Sequence, residues 1–539
     1  MDQNPFEQKI RQANERLRAQ SVPETAVLIV VLVCALLLCV ASLAATSVID
    51  PQAYQSGNVL FAKDSSGFNF AVLLLLAAAA RVLRAARISE RFLRRSTVLL
   101  LTLLGGVGLL WILLEKALPA GDQLVCYNAA KALVHGDTSA LTDENGAFFF
   151  FFACSPNRFG TLFYTEVLMR VFGEKGILLA APALNVLLVL FGYVLLLRLT
   201  ENLFKDRRIA LLTLFFLCIF FQPILSCTVI DGAAFAFALS AWALERTFLY
   251  LRNGKKRELA GAAVLFLFAA LFRPFALAAA GAVVLALLLA AFRKRSWVPL
   301  AAGVVVAAAA VIGLFFPRVL YEARLSTDYG GGLNAVVWRA AERSAGETEN
   351  MEEIRAYFNE QKEEYGLDFA AFAEQAEADL AAEEQTGAGS ASEWLARRIS
   401  AVWNEPTFGS LWASGAFEPF GERSELALSI SGGTAAQALN RAWNQLMQLL
   451  YAGVFLSAIL LMMQKSEGKM LLPAAVLFGV IFCLFSGPSA GNAVWFLPLL
   501  CPLAALGVFA FGVDVTALFT RPSTTWEQAK QERGSRKVK

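Results

Sequence analysis

Residues 257–316 read RELAGAAVLFLFAALFRPFALAAAGAVVLALLLAAFRKRSWVPLAAGVVVAAAAVIGLFF. Three apolar runs, 257–272, 274–293 and 297–316, are separated by Arg273-Pro274 and by Arg293-Lys294-Arg295. Runs of about 17 to 25 apolar residues are the length that crosses a ~30 Å hydrocarbon layer as a helix. Proline breaks a helix at its own position, and a basic triplet belongs in water, so the two breaks turn the chain on opposite faces of the layer. The stretch predicts a polytopic helical membrane protein.

The same pattern continues on both sides. Further apolar runs lie near 25–46, 68–86, 96–117, 176–199, 208–226, 230–250, 444–464, 469–487 and 491–512, which brings the expected spans to about twelve. Hydrophobic residues make up 57% of the 539 and charged residues only 17%, well short of the share of about a quarter usual in soluble domains. The net charge of +3 is too small to argue for nucleic acid as a partner. The first run follows a charged stretch (Lys9, Arg11, Arg16, Arg18) and has no small-residue cleavage site after a short apolar core, so it reads as an anchor.

Basic clusters orient the spans, because short loops retain Lys and Arg on the cytoplasmic side. With twelve spans and both termini cytoplasmic, Arg81 to Arg95, Lys205 to Arg208, Arg252 to Arg257, Arg293 to Arg295 and the tail at 513–539 all fall on one face. The expected organisation is then a cytoplasmic N-terminus with two additional spans (1–95) and a transmembrane core (96–316) with a first outer loop at 118–175. An extracytoplasmic subdomain (317–443), three last spans (444–512) and the basic tail follow. Segment 351–385, rich in Ala, Glu and Leu and free of Pro, should be helical, with TGAGSAS (386–392) as a linker.

A few polar residues stand out against this background. Asp122, after LLEKALPAG and before QLVCYNAAKALVHGD, puts a carboxylate at the start of an amphipathic segment, where it reads as a helix N-cap or as a general base for an attacking hydroxyl. Asp231 lies in the short hairpin SCTVIDG, again as a cap or as a second acid that could position a hydroxyl or bind a cation. Arg273 is costly within an apolar stretch unless it snorkels to headgroups or meets an anion such as a phosphate. Phe148 to Phe152 must be buried against spans or dip into lipid, as packing or as a greasy wall for a lipid chain. The following TLFYTEVLMRVFG carries Leu162, Phe163, Val167, Leu168, Val171 and Phe172 at the spacing of an interfacial helix. Of the eight cysteines, Cys126 and Cys154 share the first outer loop, where an oxidising compartment would let them pair.

Absences narrow the function. The chain has no GxxxxGK[ST] phosphate loop, no Asp-x-Asp triplet and a single histidine, His135, which excludes a His-Glu-x-x-His metal site. Gly105-Gly106-Val107-Gly108 lies within a span and reads as close helix packing.

Taken in order, GDQLVCYNAAKALVHGD, SPNRFGTLFYTEVLMRVFG, the Asp231 hairpin, the Arg273-Pro274 break and WNEPTFGS (403–410) resemble the GT-C superfamily of membrane glycosyltransferases. The likeness is to bacterial relatives of the protein O-mannosyltransferase and aminoarabinose-transferase group and covers roughly residues 96–512. It departs from those relatives where they often carry Tyr-Pro-Asn, at Cys154 to Asn157, and an Arg-Tyr pair, at Val494-Trp495.

The resemblance implies an all-α GT-C-like fold and a sugar donor on a polyprenyl phosphate. The acceptor would be the hydroxyl of a cell-envelope glycan, lipid or protein, on the extracytoplasmic face of the cell membrane. Asp122 would be the base; Asp231, Arg273, Asn157 and Arg158 would bind substrate. No cofactor is implied beyond a divalent cation that the paired acids could bind, and membrane lipids would be the surrounding partner. The alternatives are a lipid-linked-sugar transporter or flippase and a catalytically inactive membrane scaffold.

Overall fold

The computed structural model describes residues 22–44, 46–49, 59–62, 86–143, 146–329, 391–411, 422–431, 433–463, 469–486 and 490–511, with scattered helical positions in 67–83 and 359–378. The expected run at 68–86, the helix at 351–385, the linker before 391 and the tail at 513–539 lie largely or wholly outside the described residues.

The described body is helical, apart from a two-stranded antiparallel ribbon, β1 (Thr46–Ile49) and β2 (Val59–Ala62), that pairs Thr46 with Ala62 and Ile49 with Val59. Before it stands α1 (Val22–Ala44), and after it α2 (Glu90–Glu115), α3 (Asp122–Val134), α4 (Ala147–Cys154) and α5 (Phe159–Phe204). Then come α6 (Arg207–Ile219), α7 (Ala233–Asn253), α8 (Lys256–Phe272), α9 (Ala276–Lys294) and α10 (Val298–Leu325). The chain ends in α11 (Ala391–Trp403), α12 (Glu425–Ser431), α13 (Thr434–Met463), α14 (Leu471–Phe485) and α15 (Leu497–Phe511).

Six described helices or helix runs are long and apolar enough to cross a membrane: α1, α2, the run through α5, α9, α10 and α13. A seventh is reached if α6 and the bent turn Gln222–Thr228 form one span, while α14 and α15 are shorter apolar helices. Outward-facing Val98, Leu99, Leu103 and Leu110 on α2, and Val304, Val311, Phe315 and Val319 on α10, expose apolar side chains that lipid accommodates and water penalises. Gly105 and Gly108 face the other way, onto Leu190 and Val186 of α5, so the glycine run does serve close packing.

Local signals set the helix ends. Ser89 caps α2 by accepting from the Phe92 amide at 3.1 Å, and Asp206 caps α6 by accepting from the Arg208 amide at 2.9 Å. Arg273 is extended (φ −147°, ψ 135°), as a residue before proline is driven to be, and this ends α8 and starts the turn into α9. Two boundaries differ from expectation. Helix α10 runs through Pro317 to Leu325, and α13 begins at Thr434, so both helices continue into the region expected to be a separate 317–443 subdomain. Exposed apolar length marks where a span can sit, but a helix ends only where its capping ends it.

Helices α7, α8 and α9 run back and forth. The turns at Asp231-Gly232 and Arg273-Pro274 lie at one end of this layer, and Arg252 to Arg257 and Arg293 to Arg295 lie at the other. Helix α8 packs on α7 and α10, α9 on α10 and α14, and α13 on α1 and α15. A second apolar cluster, distinct from the main bundle core, collects α3, α4 and the first half of α5 with Ile230, Tyr321 and Tyr329. Within it Phe149, Phe150, Phe151 and Phe152 are buried, and Phe152 stacks on Phe159 at 4.7 Å while Phe149 stacks on Tyr329 at 5.2 Å. The aromatic run is therefore packing, because its rings are already covered by protein.

Candidate functional site

At the end of the bundle that carries the Asp231 and Arg273 turns, four charged side chains from four separate segments meet. Asp122, on the first turn of α3, is paired with Arg158, the last residue of the short helical turn Pro156–Arg158. Asp231 of the hairpin is paired with Arg273 of the α8–α9 break, with Oδ2 3.4 Å from Nη1. All four charges act on the thiol of Cys126, which burial pushes up from its ordinary range. The Asp122–Arg158 pair is the outer one, with side chains 30% and 25% exposed; the Asp231–Arg273 pair is the inner one, at 10% and 13%.

Each arrangement has a local cause. Helix α3 starts at Gly121 (φ 54°, ψ −137°), which occupies the cap position and leaves Asp122 one residue inside the helix, so the N-cap reading of Asp122 does not hold. The Asp122 carboxylate is free of capping duty, and Arg158 takes it up instead. Asp231 does both jobs: its Oδ1 accepts from the Ala233 amide at 2.9 Å, opening α7, while Oδ2 faces Arg273. Arg273 does not snorkel. It is mostly buried, and its Nε lies within the protein with no hydrogen-bond partner.

Polar contacts fix the frame around the pairs. Gln123 Oε1 accepts from the Ile230 amide at 3.1 Å, tying α3 to the Asp231 hairpin, and Thr161 Oγ1 donates to the Asp231 carbonyl at 3.3 Å. Asn185 on α5 donates to the carbonyls of Cys227 and Val229 at 3.1 and 2.9 Å and accepts from the Tyr164 hydroxyl at 2.9 Å. Gly160 lets α5 meet the end of α8: a Cβ there would stand 2.0 Å from the Leu271 carbonyl oxygen. That contact brings the backbone two residues after Arg158 against the backbone two residues before Arg273.

A neighbouring cluster was not foreseen. Glu166, 4% exposed, accepts from Arg324 at 2.8 and 2.9 Å, from Arg170 at 2.7 and 3.0 Å and from the Tyr321 hydroxyl at 2.5 Å. It clamps α5 to α10. The i, i+4 spacing of Glu166 and Arg170 was the available signal, but it suits a surface pair equally well. Of the apolar residues expected on its interfacial face, Val167, Val171 and Phe172 are exposed while Leu162 and Leu168 are buried in the protein, and α5 breaks at Gly173 (φ 74°, ψ 168°) before continuing as an apolar helix long enough to cross a membrane. Beyond the break, Glu174 pairs with Lys131 at 3.0 Å and with His135, both on or just after α3, and its hydrogen bond holds the Lys131 ammonium above its usual range.

Of the expected site residues, the structure brings together Asp122, Arg158, Asp231 and Arg273. Asn157 stands exposed on the turn beside them and is not drawn into the group. A divalent cation does not fit the donor set in this state: each acid is already neutralised by an arginine, and among the described residues no three His, Cys, Asp or Glu side chains gather as metal ligands. Cys126 and Cys154 are both buried and are not joined by a disulfide. A small apolar crevice lies elsewhere, lined by groups such as Val31, Leu38, Val454 and Leu477. No protein-family model matches the chain, and no curated protein matches it.

Proposed function

We propose that the chain is a twelve-span GT-C-type glycosyltransferase that moves a sugar from a polyprenyl phosphate to an acceptor hydroxyl at the extracytoplasmic surface of the cell membrane. The single observation that carries this reading is the meeting of Asp122, Arg158, Asp231 and Arg273 at the bundle end opposite the basic turns. Basic turns on the cytoplasmic side put that end outside.

In this reading Asp122 takes the proton from the acceptor hydroxyl, whose oxygen attacks the anomeric carbon. The bond from that carbon to the phosphate oxygen breaks, and the charge left on the polyprenyl phosphate is met by Arg273 and Arg158, fixed cations placed where charge develops. Direct displacement inverts the anomeric configuration. Asp231 holds Arg273 and the start of α7 in place.

A second reading is favoured by one observation: each acid already has an arginine, as two purely structural ion pairs would. Reconstituting the full chain in vesicles with a panel of radiolabelled polyprenyl-phosphate sugars separates the two. The transferase reading expects loss of label from one donor, release of polyprenyl phosphate and an inverted product; intact donors throughout favour the structural reading.

A further inference from the structure

Two arginines belong to the cluster, and each faces an aspartate. Arg158 is taken by Asp122, and Arg273 faces Asp231 at 3.4 Å while its buried Nε has no partner. A guanidinium offers five N–H donors in a planar fork that suits a phosphate at least as well as a carboxylate. An anion that reaches Arg158 must compete with Asp122. Arg273 adds its positive charge to the same cluster.

We infer that a phosphate anion displaces Asp122 from Arg158 while Arg273 stays held by Asp231, so that donor binding itself uncovers the base. In the resting state Asp122 is masked by an ion pair; in the bound state Arg158 turns to the phosphate and the carboxylate is left for the acceptor hydroxyl. The exchange keeps Arg158 paired, since it passes from one carboxylate to one phosphate, and Asp231 keeps both Arg273 and its bond from the Ala233 amide. Asp122 has no comparable second duty, because Gly121 holds the cap position. The acid set free is therefore the outer, more exposed one. This inference rests on the transferase reading for its purpose, but not for its test.

The test is equilibrium binding by the full chain in nanodiscs, with three probes: a polyprenyl phosphate, the matching polyprenol and inorganic phosphate. If the paired resting state leaves Arg158 open about a tenth of the time, neutralising the competing Asp122 tightens phosphate binding by about tenfold. Asp122→Asn is expected to bind the polyprenyl phosphate about tenfold tighter than the native chain and the polyprenol equally well, while Arg158→Gln binds the phosphate more weakly. Asp122→Ser, neutral and well suited to a helix start, is the second variant should the first fail to fold. Tightening with polyprenyl phosphate alone assigns the site to a lipid-borne phosphate; tightening with inorganic phosphate as well assigns it to the phosphate group itself. Both support the exchange. Equal or weaker binding by folded Asp122→Asn and Asp122→Ser overturns it. Tighter binding in a chain that transfers no sugar from any donor defeats the transferase reading and leaves the anion exchange standing.

Discussion

Glu166 is a carboxylate whose two oxygens face only donors, from Arg170, Tyr321 and Arg324. Replacing it with glutamine turns an NH₂ group toward one of those donors and leaves the arginines without their counter-charge. Glu166→Gln should cost about 1 to 3 kcal/mol, the range for a buried hydrogen-bonding group left badly matched. The check is thermal unfolding of the purified chain in detergent, where an unchanged midpoint would show that α5 and α10 are held by other means. Asp122 calls for a different expectation. Its carboxylate is part-exposed, engaged by one arginine and free of capping, so its neutralisation should be felt in chemistry and binding far more than in stability.

The contact between α5 and α8 is where the site is built. At Gly160 the α5 backbone lies against the Leu271 and Phe272 carbonyls, two residues and one residue before Arg273. Gly160→Ala would push the helices apart, at roughly 1 to 3 kcal/mol for a methyl forced into a filled space. It would also move Arg158 away from Arg273. The expected outcome is a lowered melting midpoint together with weakened phosphate binding; weakened stability with native binding would show that the two arginines are positioned independently of this contact. Much of this element was legible beforehand. An arginine before proline within an apolar run has few places to go, and the turn at 273–274 follows from proline chemistry alone. The partner was not legible. Nothing in SPNRFG says that Arg158 meets Asp122 rather than water, because that depends on how α3 packs against the start of α5. Periodicity likewise misjudged Glu166: a lone acid between apolar neighbours reads as the solvent side of an interfacial helix, and only the arrival of Arg324 from α10 makes an inward position affordable.

For the whole molecule, periodicity and length gave the helical architecture readily, since hydrocarbon thickness constrains apolar run length more tightly than any side-chain contact constrains a site. Helix ends were less visible: α10 continues to Leu325 and α13 starts at Thr434, where the sequence turns polar but the backbone stays helical. The proposed orientation makes its own prediction. A cysteine placed at Asn157 should be labelled by a membrane-impermeant maleimide in intact cells, while one placed at Asn253, in the basic turn at the other end of α7, should react only after permeabilisation. Labelling of both from the same side would break the link between the charged cluster and the outer surface.

The account as a whole stands on Asp122 as the group that activates the acceptor. The direct measurement is the turnover of a polyprenyl-phosphate sugar by the reconstituted native chain and by Asp122→Asn, compared at equal folded fraction. A general base contributes about 10² to 10⁴ in rate, so turnover should fall at least a hundredfold while the protein stays folded and still holds the lipid phosphate. Turnover within a few-fold of the native rate would contradict the account.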